Sequence, residues 1–158
     1  MGHGLFTDKW WEDVIEPTLA EAGAGPAFRR MGWLITAIDD DDPERARADA
    51  RRMVGFYLTV RTYDPLIERH GWEAAVTDLR ASFASGDMKS MTAAVSDDML
   101  DAITLCGTTA EAAERLRSRR VVPTEALLSP PSFLVSGRRQ DAYALAAARF
   151  AADHTSTV

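Results

Sequence analysis

Few side chains in this sequence combine the type and the spacing that chemistry needs. Cys106 is the one cysteine, and the three histidines are scattered, so neither a disulfide framework nor a tetrahedral zinc site is legible. Cys106 lies between Leu105 and Gly107, a setting that reads as a small buried thiol at a helix end rather than a nucleophile. Asp39 to Asp42 put four carboxylates in a row, which could hold a cation. A calcium loop, however, alternates its ligands and closes on a distal glutamate, and this run does neither. It reads as a solvated loop that caps the helix after it. Arg115, Arg117, Arg119 and Arg120 form a basic patch, while Arg138 and Arg139 form a pair that could take a phosphate. At a helix start such a pair faces the unfavourable end of the dipole, so it reads as exposed and tolerated. Thr36 and Asp39 stand at the end of an apolar segment, where barrel enzymes place reactive groups, although a strand-end Asp that opens an acidic turn is more often a solvated loop residue.

The elements that position these groups follow from pattern. Asp8 can cap a helix with Trp11, Val14, Ile15, Leu19 and Ala22 on one face, which Pro17 should kink or split. MGWLITAI, 31 to 38, is short, β-branched and apolar on both faces, as in the buried strand of a parallel sheet. Asp42, Pro43 and Glu44 then give an N-cap, a first helical residue and a dipole-compatible acid for a helix running to Leu58. A helical excursion over 59 to 105 follows: a turn and short helix closed by Gly71, a stripe from Trp72 to Phe83, a brief helix at Met88 and Met91, and a Ser96-capped helix that Gly107 terminates. Thr108 and Glu111 form a capping box for the next helix. Ala126 to Leu128 read as a second short strand stopped by Pro130 and Pro131, and a last helix carries Tyr143, Ala147 and Phe150 before a frayed tail over 154 to 158. The order is α/β and helix-rich, with two or three short parallel strands.

Composition sets the outer bounds. A chain of 158 residues, 46% hydrophobic and 27% charged, suits a single globular domain over 1 to 158. A net charge of −6 and a pI near 5.0 argue against nucleic acid or an anionic membrane as partner. The sequence has no apolar run of about 18 residues and no secretory leader, and Phe6 stands where a myristoylation motif needs Ser or Thr, so a cytoplasmic protein is expected.

Several stretches, in order, carry a resemblance. GHGLFTDKWWEDVIEPTL, DDDPERARADARRMVGFYL, Tyr63 with Gly71, VSDDMLDAITLCGTTAEAAERL over 95 to 116, and ALLSPP resemble the carboxyl-terminal part of the luciferase-like oxidoreductases. That family implies a TIM-type (β/α)8 barrel and hydride transfer or monooxygenation with FMN or a deazaflavin coenzyme. The resemblance places 59 to 105 between the last two strands, bordering the substrate cleft. It makes Tyr63, His70 and Trp72, with Tyr57, the cleft candidates. Each also fits a plain structural role: Tyr57 and Trp72 lie on apolar stripes, and His70 precedes a helix-ending glycine.

The sequence departs from the family where it matters most. About 250 residues make such a barrel, and the first strands, with their phosphate-holding Gly-rich turn, have no counterpart here. The resemblance therefore implies an incomplete barrel with no catalytic residue of its own. It leaves this chain alone with either that coenzyme or none bound, and implies either self-association or a partner chain that supplies the missing strands. The alternative is a non-catalytic helical remnant that self-associates as an assembly module.

Overall fold

In a computed structural model, residues 5–25, 27–121 and 123–154 are described. A three-stranded parallel sheet forms the centre, with β1 (Met31–Ile38) between β2 (Thr104–Gly107) and β3 (Glu125–Ser129). Ile35 to Ile38 pair with Thr104 to Gly107, and Met31 to Ile35 pair with Glu125 to Ser129. Ahead of β1, Leu5 bridges Trp33 in the parallel sense, and the Phe6 amide donates to the Trp33 carbonyl.

β2 is the strand whose place the sequence pattern does not mark. Helix α7 (Asp97–Ile103) stops at Ile103, and Thr104 turns extended at φ −121° and ψ 162°. The chain is then strand up to Gly107, so Gly107 ends a strand rather than a helix, and Cys106 lies inside that strand. Four residues, all buried, carry no period of their own, which is why the segment reads as a continuation of the helix before it. The excursion consequently joins β1 to β2. Among the described residues it lies between the first two strands, not the last two.

The amino-terminal helix shows how local chemistry sets boundaries. Its cap is Thr7, whose Oγ1 accepts from the Trp10 amide, and not Asp8, which becomes the first helical residue of α1 (Asp8–Trp10). Asp8 instead accepts from the Arg120 amide at 2.9 Å, which ties the start of the chain to the end of a distant helix. Pro17 does split the helix. The backbone passes through a π-turn over Trp11–Ile15, with the Glu16 amide reaching back to the Trp11 carbonyl, before α2 (Glu16–Glu21) carries Pro17 in its first turn.

Helix α3 (Pro43–Leu58) starts as its sequence dictates: Asp42 Oδ1 accepts from the Arg45 amide at 3.1 Å. A 3-10 turn (Arg61–Tyr63), α4 (Asp64–His70), α5 (Glu73–Ala84) and α6 (Met88–Ala93) make up the excursion ahead of α7. Gly71 closes α4 in the left-handed conformation at φ 74°. The Thr108–Glu111 capping box opens α8 (Thr109–Arg117), with both reciprocal bonds present. Helix α9 (Gly137–His154) ends the described chain; His154 is its last residue, and the rest of the expected tail lies outside the described residues.

One buried carboxylate joins two of these helices. Asp49 on α3 accepts from Tyr143 Oη of α9 at 2.9 Å and from Arg52 Nη1 at 3.0 Å, and Arg139 Nε pairs with it at 2.8 Å. Arg139 is therefore not the exposed, tolerated residue its position at a helix start suggests. The Asp49 carboxylate supplies the anion that its place on the dipole requires. Arg138 is exposed. Among the described residues no helix is long and apolar enough to cross a membrane.

Candidate functional site

At the carboxyl ends of β1 and β2, the polar groups bond to one another. Asp39 Oδ1 accepts from the amides of Asp41 and Asp42 at 3.0 and 3.1 Å. The Asp40 carboxylate accepts from the Thr109 amide at 2.7 Å and from its hydroxyl at 2.8 Å, and these bonds hold its carboxyl below the usual range. Glu111 is held low in the same way by the Thr108 amide and hydroxyl, and Arg47 pairs with both Glu44 and Glu111. The acidic run is thus a solvated cap, as its pattern suggests. Among the described residues no cluster of histidine, cysteine, aspartate and glutamate is arranged for a metal. Thr36 is buried, with its hydroxyl donating to the Leu34 carbonyl.

Cys106 is inert in this setting. Burial pushes its thiol up, and the thiol sulfur accepts from the Thr104 hydroxyl at 3.2 Å.

The three cleft candidates divide between two places. His70 stacks on Trp72 with ring centres 4.0 Å apart and an interplanar angle of 18°, and its Nε2 lies 2.9 Å from Thr7 Oγ1. Desolvation, reinforced by Lys9 and opposed by Asp13, pushes the imidazole down to about 4, so it is neutral near pH 7. Tyr63 is buried elsewhere, edge-on to Tyr57 at 6.1 Å, in an aromatic cluster that continues to Trp33 and Phe56. Burial raises the hydroxyls of both tyrosines.

His70 also lines a cavity of about 320 Å³ that no single stretch of sequence announces. Its walls come from the start of α1 (Thr7, Asp8, Lys9), the end of α7 (Asp101, Ala102) and the end of α8 with the residues after it (Arg115, Ser118, Arg119, Arg120). Because α7 leads directly into β2, the cavity lies at the amino end of that strand, opposite the end where barrels carry their chemistry. The basic patch of the sequence is thereby resolved into separate roles. Arg115 binds Asp101 at 2.7 Å and the Cys106 carbonyl at 2.7 Å, Arg120 forms a two-point pair with Glu12, and Arg119 is drawn inside. The one signal in the sequence was the arginine run itself; nothing in it says which arginine is buried.

A helix-rich unit on a parallel sheet, with capped loops at the carboxyl ends of β1 and β2, belongs to the α/β class of folds. Residues 7–124 match the family described as luciferase-like monooxygenase, and the chain belongs to that family. It is 28% identical over 126 residues to an uncharacterized protein of Mycobacterium tuberculosis, covering 75% of this chain and 37% of that one. To the 5,10-methylenetetrahydromethanopterin reductase of Archaeoglobus fulgidus it is 32% identical over 111 residues, covering 66% of this chain and 33% of the reductase. The reductase of the same name from Methanolobus tindarius is 37% identical over 71 residues, 44% of this chain and 22% of that protein. The chain therefore spans about a third of the length of the curated relatives it matches.

Proposed function

We propose that this chain is the carboxyl-terminal part of a luciferase-like oxidoreductase that uses FMN or a deazaflavin coenzyme, and that it is inactive alone. The family membership and the reductases among its relatives support an oxidoreductase. The observation that carries the incompleteness is the sheet. Among the described residues β2 and β3 each pair only with β1, and a parallel sheet is stable when its neighbours and both faces are covered. In this reading the unit is one segment of a (β/α)8 barrel working in the cytoplasm, and the partner is a polypeptide carrying the remaining strands.

The residues at the strand ends do not fit a flavin by themselves. Gly107 is the one glycine there that could let a phosphate approach the backbone, yet a Cβ on it would lie 2.5 Å from Glu111 Oε2 and 3.0 Å from Arg47 Nη2. That space is already filled by an ion pair. The carboxylates beside it are bonded to their own loops. The coenzyme cradle is assigned to the strands that this chain does not contain, and His70, which lines the cavity at the amino end of β2, is left out of the substrate cleft, since barrels carry that cleft at the carboxyl ends of their strands.

The reading is tested by titrating the purified chain with reduced FMN and with deazaflavin coenzyme, alone and mixed with a polypeptide bearing the preceding strands of a family relative. Fluorescence should stay unchanged for the chain alone and respond with the complement present. Silence in both arms sinks the proposal.

A second reading has its own observation. Met31 is 63% exposed and Leu127 is 53% exposed, and the β1–β3 register puts both on one face of the sheet. Such a face favours self-association of a non-catalytic module. Sedimentation of the chain alone decides this point: a monomer that melts cooperatively counts against it.

A further inference from the structure

The cavity at the amino end of β2 contains a buried cation with unused bonding capacity. The Arg119 side chain is 5% exposed. Its Nη1 donates to the Ala102 carbonyl at 2.9 Å, its Nη2 to the Thr104 carbonyl at 3.4 Å, and its guanidinium carbon lies 5.4 Å from the Phe6 ring centre. Its Nε is buried with no acceptor, and the nearest carboxylate, Asp8, stands off at 3.7 Å. A buried guanidinium with an unpaired N–H and a distant counterion is costly unless something else completes it.

The other charges around the cavity are largely engaged. Asp101 is held by Arg115, and Glu12 by Arg120. Asp8 Oδ2 accepts the Arg120 amide, while its Oδ1 is buried without a hydrogen-bond donor. Lys9 is exposed at the rim and forms no ion pair among the described residues. His70 is neutral, so the lining carries four cations against two carboxylates, and Glu12 outside it offsets one more.

We propose that this cavity binds a small oxyanion of the phosphate or carboxylate type, with the Arg119 guanidinium as the inner charge and Lys9 as the closing charge at the rim. Guanidinium groups match both oxyanions geometrically. A cavity of about 320 Å³ admits a phosphate or a short carboxylic acid but not a whole nucleotide coenzyme. The coenzyme is assigned to strands that this chain does not contain, so the site does not depend on that assignment.

Calorimetric titration of the full chain at low ionic strength, with inorganic phosphate in one arm and acetate in the other, tests the site. One saturable transition is expected in at least one arm, and the arm that saturates identifies the oxyanion. Lys9→Gln should weaken binding about threefold. Arg119→Lys should weaken it about tenfold through loss of one charge-assisted bond. Lys89→Gln, exposed on α6, should leave it unchanged. No saturable heat in either arm overturns the proposal, and so does an equal loss in Lys9→Gln and Lys89→Gln. Should Arg119→Lys fail to fold by circular dichroism, the comparison of the two lysine variants still decides.

Discussion

Replacing Asp49 by alanine tests the packing logic of this molecule at its most concentrated point. The side chain is 3% exposed, accepts hydrogen bonds from Tyr143 Oη and Arg52 Nη1, and forms an ion pair with Arg139. Removing one partner of a buried pair typically costs about 3–5 kcal/mol, chiefly because the abandoned charges stay buried. Here Arg52 and Arg139 keep 27% and 24% of their side-chain surface exposed, so water recovers part of their solvation and the lower end of that range applies. The Tyr143 hydroxyl, in contrast, is fully enclosed and loses its acceptor outright. We expect Asp49→Ala to lose about 3 kcal/mol in urea denaturation, which for a chain of this size lowers Tm by roughly 6–12 °C. Tyr143→Phe alone should cost about 1 kcal/mol, and the double variant about 1 kcal/mol less than the two single losses together, because they share one bond. An Asp49→Ala loss below 1 kcal/mol at unchanged m-value would refute the reasoning that this carboxylate joins α3 to α9.

Further expectations follow from single groups. The His70 pKa is lowered from 6.5 to about 4 in the folded chain, so the unfolded chain takes up a proton first as the pH falls. Stability is then fully present above about pH 6.5 and is lost down to about pH 4, by at most about 3 kcal/mol. His70→Gln should flatten that component in denaturation curves at stepped pH, and an identical pH slope in both proteins counts against it. Gly107→Ala places a Cβ against Glu111 and Arg47 at a backbone φ of 105°, which should cost about 2 kcal/mol or more by thermal melting. A neutral outcome would mean that the capping box relaxes freely.

Much of the fold was legible because strong local signals coincide with the elements. Asp42–Pro43, the Thr108–Glu111 box and Gly71 mark helix ends through hydrogen bonds made within a few residues, and those are the boundaries the structure keeps. β2 was not legible, because a four-residue strand buried on both faces is fixed by its neighbour Ile35–Ile38 and not by any period of its own. Arg139 was misjudged for a related reason: its counterion, Asp49, sits on a helix far away in sequence. Of the cleft candidates, the sequence could not say that His70 and Trp72 stack together while Tyr63 turns into an aromatic cluster. The cavity that His70 lines was invisible, since its walls come from four separated stretches.

The sheet register has a consequence for how the molecule forms. Met31 pairs with Glu125, 94 positions further along the sequence, and Ile35 pairs with Thr104, so the central strand emerges long before either flanking strand exists. The helices of the excursion close on local contacts and can fold early, whereas sheet closure waits for nearly the whole chain and pays a large loop entropy. During synthesis β1 therefore waits as an apolar strand with only the Leu5–Phe6 segment against one edge, and a nascent chain in that state is the species most in need of a chaperone.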